Sequence, residues 1–462
     1  MKIDSVLAHI DNTLAASRDR WFELLRIPSV SAQPVHAADC VRAAEWVLEQ
    51  LLGLGFEGAL HATPGHPVVI ASHPGPGSGA PHVLFYGHYD VQPAEPLALW
   101  TAAPFDPKLT EGPRGTRVVA RGAVDDKGQV MLWLEALRAW HGVTGSLPCR
   151  VTVLVEGEEE VGSPNLEAVL AARRGELAAD VCVISDTNMW DIDTPALTTR
   201  LRGLVYTQVT IKAANKDLHS GLFGGSAQNP INVLTAVLGA LRDETGRIQV
   251  PGFYDGVSDI PAELAAEWAS LGFDEGAFLE GVGLSAPAGE MGRTALERLW
   301  ARPTADVNGI WGGYQGAGAK TVIAAEAGAK VSFRLVPGQD PAAVLAGFRL
   351  FVEGLLPVGV RAEFEVFGMA PGVEIPSDSR FVAAARAALA AEYGRAAVLM
   401  GSGGSIPVVE SMKRLLGLDS LLMGFGLEDD QVHSPNEKFE WRCFVHGVRS
   451  HARLLGSLGR VG

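Results

Sequence analysis

Six side chains of the kinds that bind divalent metals stand at the ends of apolar segments in this sequence. Each follows a predicted strand or lies in a loop that opens a predicted helix. The six are two histidines and four carboxylates: His88, Asp125, Glu159, Glu160, Asp186 and His433. Because the carboxyl ends of strands in an open α/β sheet meet at one edge, we expect these side chains to share one crevice. Mixed imidazole and carboxylate ligands suit Zn²⁺, Mn²⁺ or Co²⁺, which would relieve the repulsion among the carboxylates.

The first histidine has a neighbour that can prepare it for metal binding. His88-Tyr89-Asp90 follows the apolar run Val83-Leu84-Phe85-Tyr86, which is typical of a buried strand. In an extended backbone the side chain two residues on lies on the same side, so Asp90 can accept the second ring N–H of His88. This contact fixes the imidazole tautomer and makes the other nitrogen a better ligand. Taken singly, the acidic segments are more typical of helix caps and solvated surface, so the metal interpretation depends on their joint occurrence.

The elements that must position these residues alternate between strands and helices up to about residue 200. That alternation predicts an α/β fold with a doubly wound, mainly parallel sheet. Beyond residue 200 the predicted order becomes β-α-β-β-α-β, which is the ferredoxin-like layout. The predicted strands of this second region are 204–211, 321–325, 329–336 and 360–367, with an irregular insertion at about 250–312.

After Pro371 the order of predicted elements returns to the first pattern, so the second region is predicted to be inserted into the first. We therefore predict a metal-binding catalytic domain of residues 1–200 and 371–462. The inserted ferredoxin-like α+β domain is predicted to span residues 201–370.

Composition limits the classes of function. A formal net charge of −15 argues against a nucleic-acid partner, since phosphate binding needs a basic surface. No apolar run reaches the ~18 residues of a membrane span, and the first residues carry Asp4, His9 and Asp11 where an export signal is apolar. The four cysteines are scattered without CxxC spacing, which suits a reducing compartment. We expect a cytoplasmic protein with no nucleic-acid and no membrane partner.

Four motifs, taken together, resemble those of the dinuclear metallopeptidase family of carnosinases, cytosolic non-specific dipeptidases, aminoacylases and succinyl-diaminopimelate desuccinylases. The resemblance covers nearly the whole chain, and the carnosinase and non-specific dipeptidase branch is the most similar. The motifs are His88-Tyr89-Asp90-Val91-Gln92-Pro93, Arg121-Gly122-Ala123-Val124-Asp125-Asp126-Lys127-Gly128, Glu156-Gly157-Glu158-Glu159-Glu160-Val161-Gly162-Ser163 and His433-Ser434-Pro435-Asn436-Glu437-Lys438.

The resemblance implies a site with two divalent metal ions, Zn²⁺ or Mn²⁺, that the sequence does not distinguish. It implies that Asp125 bridges the two ions. His88 and Asp186 then complete the protein ligands of one ion, and Glu160 and His433 complete those of the other.

The catalytic roles also come from the resemblance. Glu159 is implied to be the general base, acting on a water held between the metals, and Asp90 to orient His88. The Asp125–Asp126 peptide bond is implied to be cis. A shift of one residue in the run Glu158-Glu159-Glu160 would change which of the three are the base and the ligand, and the sequence leaves this alternative open.

Residues of the inserted domain are implied to hold the substrate. His219 resembles a histidine that reaches the active site of the other subunit in a homodimer and stabilises an oxyanion. Arg334 alternates with apolar residues in its strand and can bind a terminal carboxylate through two hydrogen bonds. Thr321 and Ser405 resemble further contacts to the substrate. Each of these residues is also compatible with an ordinary turn or surface position. By the same resemblance the inserted domain is a lid and dimerisation domain.

Three functional hypotheses remain at this level. The first is a metal-dependent hydrolase that cleaves the amide bond of dipeptides or short peptides. The second keeps the same site for an N-acyl amino acid deacylase or desuccinylase. The third is a peptide-binding or scaffold protein without catalysis, which the complete set of ligands and the free base disfavour.

Overall fold

The structure is a computed structural model that describes residues 2–404 and 406–460. Its backbone contacts divide the chain into two compact units. Unit 1 is formed by the described residues of 1–199, 375–400 and 407–462. Unit 2 is formed by the described residues of 200–374 and 401–406.

The strands are, in chain order, β1 Glu57–His61, β2 Val68–His73, β3 His82–His88, β4 Lys108–Gly112, β5 Gly115–Val119, β6 Arg150–Glu156, β7 Val181–Ile184, β8 Ala196–Leu201, β9 Gly203–Lys212, β10 Leu218–His219, β11 Thr304–Gly312, β12 Val322–Ile323, β13 Glu326–Leu335, β14 Arg361–Ala370, β15 Val373–Glu374, β16 Val398–Ser402, β17 Ser420–Leu422 and β18 Lys438–Glu440. The α-helices are α1 Lys2–Leu25, α2 Ala37–Leu52, α3 Lys127–Thr144, α4 Leu166–Ala172, α5 Arg174–Leu177, α6 Ser220–Phe223, α7 Pro230–Gly239, α8 Ala262–Ser270, α9 Glu275–Glu280, α10 Ala295–Trp300, α11 Pro341–Gly354, α12 Arg380–Tyr393, α13 Pro407–Ser411 and α14 Trp441–Leu458.

Unit 1 contains a large mixed sheet in which strands follow the order β1-β2-β6-β3-β7-β17-β8. The four central strands β6, β3, β7 and β17 are parallel. The expectation of a mainly parallel sheet is wrong at the edges, where β1, β2 and β8 pair antiparallel to their neighbours. A short connection allows only antiparallel pairing, and β1 and β2 are joined by such a connection.

The centre of unit 1 is apolar on both sides of its strands. Every residue of β3 is buried, which is why this segment reads as a continuous apolar run. Helix α3 packs against α1 and α14, and its first eleven residues are buried. It ends at Gly145, which takes the left-handed conformation that favours glycine at this position. A separate three-stranded sheet, in the order β18-β5-β4, completes the unit.

Helix α3 is also tied to the first helix by a buried lysine. The Nζ atom of Lys127 donates hydrogen bonds to the carbonyl oxygens of Leu24 at 3.2 Å and Ile27 at 2.6 Å. Since Lys127 follows Asp125 and Asp126 directly, this anchor holds the loop that carries both carboxylates.

Unit 2 has a four-stranded antiparallel sheet with the order β11-β13-β9-β14. Burial alternates along β9 and β13. One face packs with α7 and α11 around a core that includes Val205, Val209, Phe333 and Phe348. Along the chain, the sheet strands and these two helices follow the order β-α-β-β-α-β.

The second strand of this sheet is not the predicted one. The segment predicted as strand 321–325 forms only the two-residue β12, which pairs with β10. The sheet uses β11 instead, inside the region predicted to be irregular. Strand β11 lies at the edge, is largely exposed and has a register shift between Val307 and Gly309, so it lacks the apolar pattern of a central strand.

In the part of the chain that the structure describes, none of the helices combines the length and apolar character that crossing a lipid bilayer requires.

Candidate metal centre

Adjacent parallel strands carry the first side chains of the site. His88 is the last residue of β3 and lies opposite Glu156, the last residue of β6. On the other side Tyr86 lies opposite Ile184 in β7. Asp186, two residues beyond the end of β7, therefore reaches the same edge of the sheet as His88.

The predicted ligands lie in two groups that share one carboxylate. In each group, the possible ligand atoms lie within 4.8 Å of one another. In the first, His88 Nε2 lies 3.2 Å from Asp125 Oδ1 and 3.9 Å from Asp186 Oδ2. In the second, His433 Nε2 lies 2.9 Å from Asp125 Oδ2 and 3.2 Å from Glu160 Oε2. The two oxygens of Asp125 thus face different groups, as a bridging carboxylate requires.

Asp90 has two roles in this arrangement. The Nδ1 atom of His88 lies 3.1 Å from the Asp90 carbonyl oxygen and 3.3 Å from its Oδ1 atom. The same carboxylate accepts the backbone N–H groups of Glu159 at 3.3 Å and Glu160 at 3.1 Å. The first contact was expected from the spacing of the two residues. The second was not, and it holds the turn that presents both glutamates.

A buried glutamate that sequence reasoning did not assign holds the Asp125 loop. Glu437 Oε1 accepts the backbone N–H groups of Val124 at 2.9 Å and Asp125 at 3.1 Å. Its Oε2 accepts the N–H of Gly122 at 2.9 Å and a hydrogen bond from Arg121 at 2.8 Å. Glu437 is fully buried. Glu437 stands in the last of the four motifs, so the sequence indicated that it could be functional. A motif does not show where a side chain points, and its contact with the Asp125 loop could not be predicted.

The Asp125–Asp126 peptide bond is cis, which confirms the expectation from the resemblance. Asp126 belongs to neither ligand group. Its Oδ2 atom accepts the backbone N–H of His88 at 3.1 Å. Asp126 therefore links the loop before α3 to the end of β3.

Negative charge dominates the electrostatics of the cluster. Burial, together with the charge of Asp125, raises the pKa of Asp186 to about 8. Contacts with Asp125 and Glu160 raise the pKa of His433 to about 10. Burial opposes a charge on His88, but the carboxylates of Asp125 and Asp90 outweigh it and raise the pKa of His88 well above its usual value. The cluster favours positive charge at every imidazole and disfavours negative charge at Asp186.

The residues present fit a pair of divalent cations. The Nε2 atom of His88 is buried and makes no hydrogen bond to any residue that the structure describes, although buried polar atoms normally have a partner. The donors around it are imidazole nitrogens and carboxylate oxygens, the ligand types preferred by zinc and manganese.

Glu159 lies beside the cluster and belongs to neither ligand group. Burial raises the pKa of its carboxyl group, which is the direction that suits a general base. The preceding Glu158 is engaged elsewhere, because both of its carboxylate oxygens accept hydrogen bonds from Asn165 at 3.0 Å and 2.8 Å. This arrangement supports the assignment of base and ligand to Glu159 and Glu160.

Three of the residues predicted to bind substrate lie in the described part of unit 2, in two places. His219 and Thr321 lie together, since His219 pairs with Val322 and the N–H of Ser220 donates to the Thr321 carbonyl at 3.1 Å. Arg334 lies in β13, on the sheet face opposite the apolar core. The structure records no contact between Arg334 and the first pair among the residues that it describes. Ser405 lies outside the described residues.

Comparison with known proteins places the whole chain in one group. Residues 84–457 match the model of peptidase family M20/M25/M40. The Cys-Gly metallodipeptidase dug1 of Schizosaccharomyces pombe is 30% identical, over 100% of this chain and 99% of that protein. The Beta-Ala-His dipeptidase of Homo sapiens is 31% identical, over 86% of this chain and 78% of that protein.

The fold agrees with this placement. The solved structure of an M20 family metallo-carboxypeptidase from Sulfolobus solfataricus is 28% identical and has a TM-score of 0.83. That alignment covers 96% of this chain and 99% of the other. On the family match, the sequence relatives and the shared fold, the chain belongs to peptidase family M20/M25/M40.

Proposed function

We propose that the chain is a metal-dependent dipeptidase that hydrolyses the amide bond of dipeptides and similarly short peptides. The observation that carries this proposal is the pair of ligand groups that share Asp125 beside a carboxylate, Glu159, that is in neither group. Two of the most similar relatives are dipeptidases by name, which supports the size class of the substrate.

His88, Asp125 and Asp186 would hold one divalent cation, and Asp125, Glu160 and His433 would hold the second. Zn²⁺ and Mn²⁺ both suit these donors. Such ions, when bound, polarise the scissile carbonyl and increase the acidity of water. Asp90 binds no metal in this proposal. It orients His88 and accepts the backbone N–H groups of Glu159 and Glu160.

The protein's own contribution to the chemistry is proton transfer by Glu159. Its carboxylate takes a proton from the attacking water as the new carbon–oxygen bond forms at the peptide carbonyl. The same carboxyl group then gives that proton to the amine nitrogen as the carbon–nitrogen bond breaks. Burial raises the pKa of this carboxyl group, so it holds the proton between the two steps more strongly than an exposed glutamate would.

Arg334 would bind the terminal carboxylate of the substrate, with His219, Thr321 and Ser405 as further contacts. A guanidinium group is suited to this role because its fork of N–H donors matches a carboxylate. The alternative of an N-acyl amino acid deacylase or desuccinylase uses the same residues. The relatives named above do not favour it.

The division of labour between the units is part of the proposal. Residues 1–200 and 371–462 would form the catalytic domain, and 201–370 the lid and dimerisation domain of a homodimer. The separate apolar core of unit 2 supports an independent domain. All four cysteines are buried free thiols, which supports a reducing, cytoplasmic location.

The decisive test is to substitute neighbouring glutamates in the same turn. In Glu159→Gln, hydrolysis of alanyl-alanine should fall by about 10²–10⁴-fold, while the number of metal ions per chain, measured by elemental analysis, stays unchanged. The matched control is Glu158→Gln, which lies one residue away and should keep both activity and metal. If Glu159→Gln retained most of its turnover, or if Glu158→Gln lost it, the assignment of the base would be wrong.

Substrate class and metal identity need a second experiment. Metal-stripped protein is supplied separately with Zn²⁺, Mn²⁺ or Co²⁺ and tested on dipeptides, N-acetyl amino acids and N-succinyl amino acids. We expect dipeptides to be cleaved fastest with every activating metal. A preference for the acylated amino acids would replace the dipeptidase proposal with the deacylase.

A further inference from the structure

One arginine of a cavity in unit 2 has no counter-charge among the described residues, although the other three arginines of that cavity each have one. A cavity of about 340 Å³ within unit 2 is lined by four arginines. Three of them contact a carboxylate of the same cavity wall: Arg242 pairs with Asp306 at 2.9 Å, Arg302 with Glu290 at 2.7 Å and 2.8 Å, and Arg298 with Glu275. The fourth, Arg202, has no carboxylate within 4.0 Å among the described residues.

The register of the sheet places Arg202 beside Arg334. Arg334 lies directly opposite Leu204 in β9. Burial alternates from Leu201 through β9, so Arg202, two residues before Leu204, lies on the same face as Leu204 and Arg334. Diagonal neighbours in antiparallel strands are within reach of side chains as long as arginine. Arg334 likewise has no carboxylate within 4.0 Å among the residues that the structure describes.

The electrostatics agree with this placement. Burial, together with the positive charge of Arg334, lowers the pKa of Arg202 to about 10. Asp306 acts in the opposite direction but is already engaged by Arg242. Two half-buried guanidinium groups held on one sheet face repel each other, and an anion between them would remove the repulsion.

Arg202 also holds the glycine loop that precedes Ser405. Its Nε atom donates to the carbonyl oxygen of Gly403 at 3.0 Å, and its backbone N–H donates to that of Gly404 at 3.2 Å. A Cβ atom at Gly403 would lie only 3.0 Å from Nη2 of Arg202. The loop therefore packs closely against the Arg202 side chain. The terminal nitrogens of Arg202 donate no hydrogen bond to the residues that the structure describes, so their N–H groups can bind a ligand.

We propose that Arg202 is a second guanidinium of the substrate-carboxylate site, acting with Arg334 to bind the free C-terminal carboxylate of the dipeptide. This inference rests on the proposed dipeptidase function. It makes a free C-terminal carboxylate a requirement for tight binding, because a peptide amide brings no charge to either arginine. It also assigns Arg202 a part in positioning the loop at Gly403 and Gly404.

The test measures binding separately from turnover. In the Glu159→Gln background, calorimetry gives the Kd of alanyl-alanine and of alanyl-alanine amide. Arg202→Gln should weaken binding of the free dipeptide by about tenfold or more, and should change binding of the amide by less than threefold. Arg242→Gln, which removes an arginine of the same cavity that is already paired, is the matched control and should leave both values unchanged.

Three further readouts keep the result interpretable. Arg202→Lys retains the charge and should recover part of the lost affinity, which a purely structural effect on the loop would not allow. In Arg202→Gln/Arg334→Gln the two losses should not add, because both side chains bind one carboxylate. Thermal unfolding of each variant shows whether it is folded.

Equal losses for the dipeptide and its amide, or no loss for either, would overturn the role of Arg202. Absence of hydrolysis by the wild type, with carboxylate-dependent binding intact, would instead contradict the dipeptidase proposal alone.

Discussion

The metal-ligand cluster of unit 1 gathers carboxylates and imidazoles, whereas the arginine pair of unit 2 carries positive charge without a carboxylate partner among the described residues. In unit 1, Asp125, Asp186 and Glu160 meet with two imidazoles. In unit 2, Arg202 and Arg334 share a sheet face without a carboxylate partner among the described residues. The first arrangement is suited to cations and the second to an anion.

Glu392 shows a contrasting arrangement. Its side chain is 2% exposed and contacts His446, Arg449 and Arg453 at 2.9 Å, 2.6 Å and 2.9 Å. Its pKa lies below the usual value because these contacts outweigh the effect of burial. Here the chain itself supplies the partners of a carboxylate that lies outside both clusters.

The largest effect is expected from removing Asp125, the carboxylate shared by both ligand groups, because this tests whether the cluster of unit 1 binds cations. Asp125→Ala should lower turnover by roughly 10³-fold or more, since metal ions contribute several kcal/mol to such reactions. Elemental analysis should show that both ions are lost. Asp186→Ala touches only one group and should retain more metal than Asp125→Ala. Equal metal content in the two variants would contradict a bridging role for Asp125.

Substitutions of Glu437 test whether metal binding depends on the loop that carries Asp125 and that Glu437 holds in place. Glu437→Ala leaves Arg121 and three backbone N–H groups without their buried acceptor. It should lower the free energy of unfolding by about 3–5 kcal/mol, measured by urea denaturation. Glu437→Gln keeps the shape and should lose less stability but bind metal about 10–100-fold more weakly. Unchanged metal affinity in Glu437→Gln would show that the carboxylate only stabilises the fold.

The positive cluster is tested by Arg334→Gln, which should affect substrate and leave the metal centre intact. Loss of a charge-assisted hydrogen bond costs about 1.5–3 kcal/mol, so the KM for alanyl-alanine should rise by roughly 10–100-fold. The metal content should equal that of the wild type. Arg349→Gln, on α11 of the same unit, is the control and should leave KM unchanged. A fall in metal content in Arg334→Gln would contradict the separation of the two clusters.

The smallest effect is expected for Glu392, the carboxylate whose charge is already paired with His446, Arg449 and Arg453, and it concerns stability. Because the pKa of folded Glu392 lies below that of an unfolded glutamate, about 4.3, its stabilising effect is complete above that value and is lost as the pH falls through the folded pKa. The wild type should therefore be more stable than Glu392→Gln by about 1 kcal/mol at neutral pH. Thermal unfolding should show this difference shrinking below pH 4. If the stability difference between the wild type and Glu392→Gln grew as the pH fell, the predicted pH dependence would be wrong.

Much of the site could be read from the sequence because its ligands follow buried strands. His88 and Asp186 stand after β3 and β7, whose apolar runs are visible in the sequence and whose ends must meet at one sheet edge. The direction of Asp90 towards His88 follows from the alternation of an extended backbone. The substrate-binding roles of Arg334, His219 and Thr321 stay predictions, as do the metal-ligand roles.

The sequence by itself therefore determined which side chains could bind metal and that strand ends would bring them together, because both depend on local periodicity. Only the tertiary structure decided that β11 completes the second sheet, since an exposed edge strand has no apolar pattern of its own. It also decided that Glu437 holds Asp125 across 312 positions of the chain and that the charge of Arg334 acts on Arg202. Such contacts depend on how distant segments pack and pair, and local sequence patterns do not specify the partner of a buried charge.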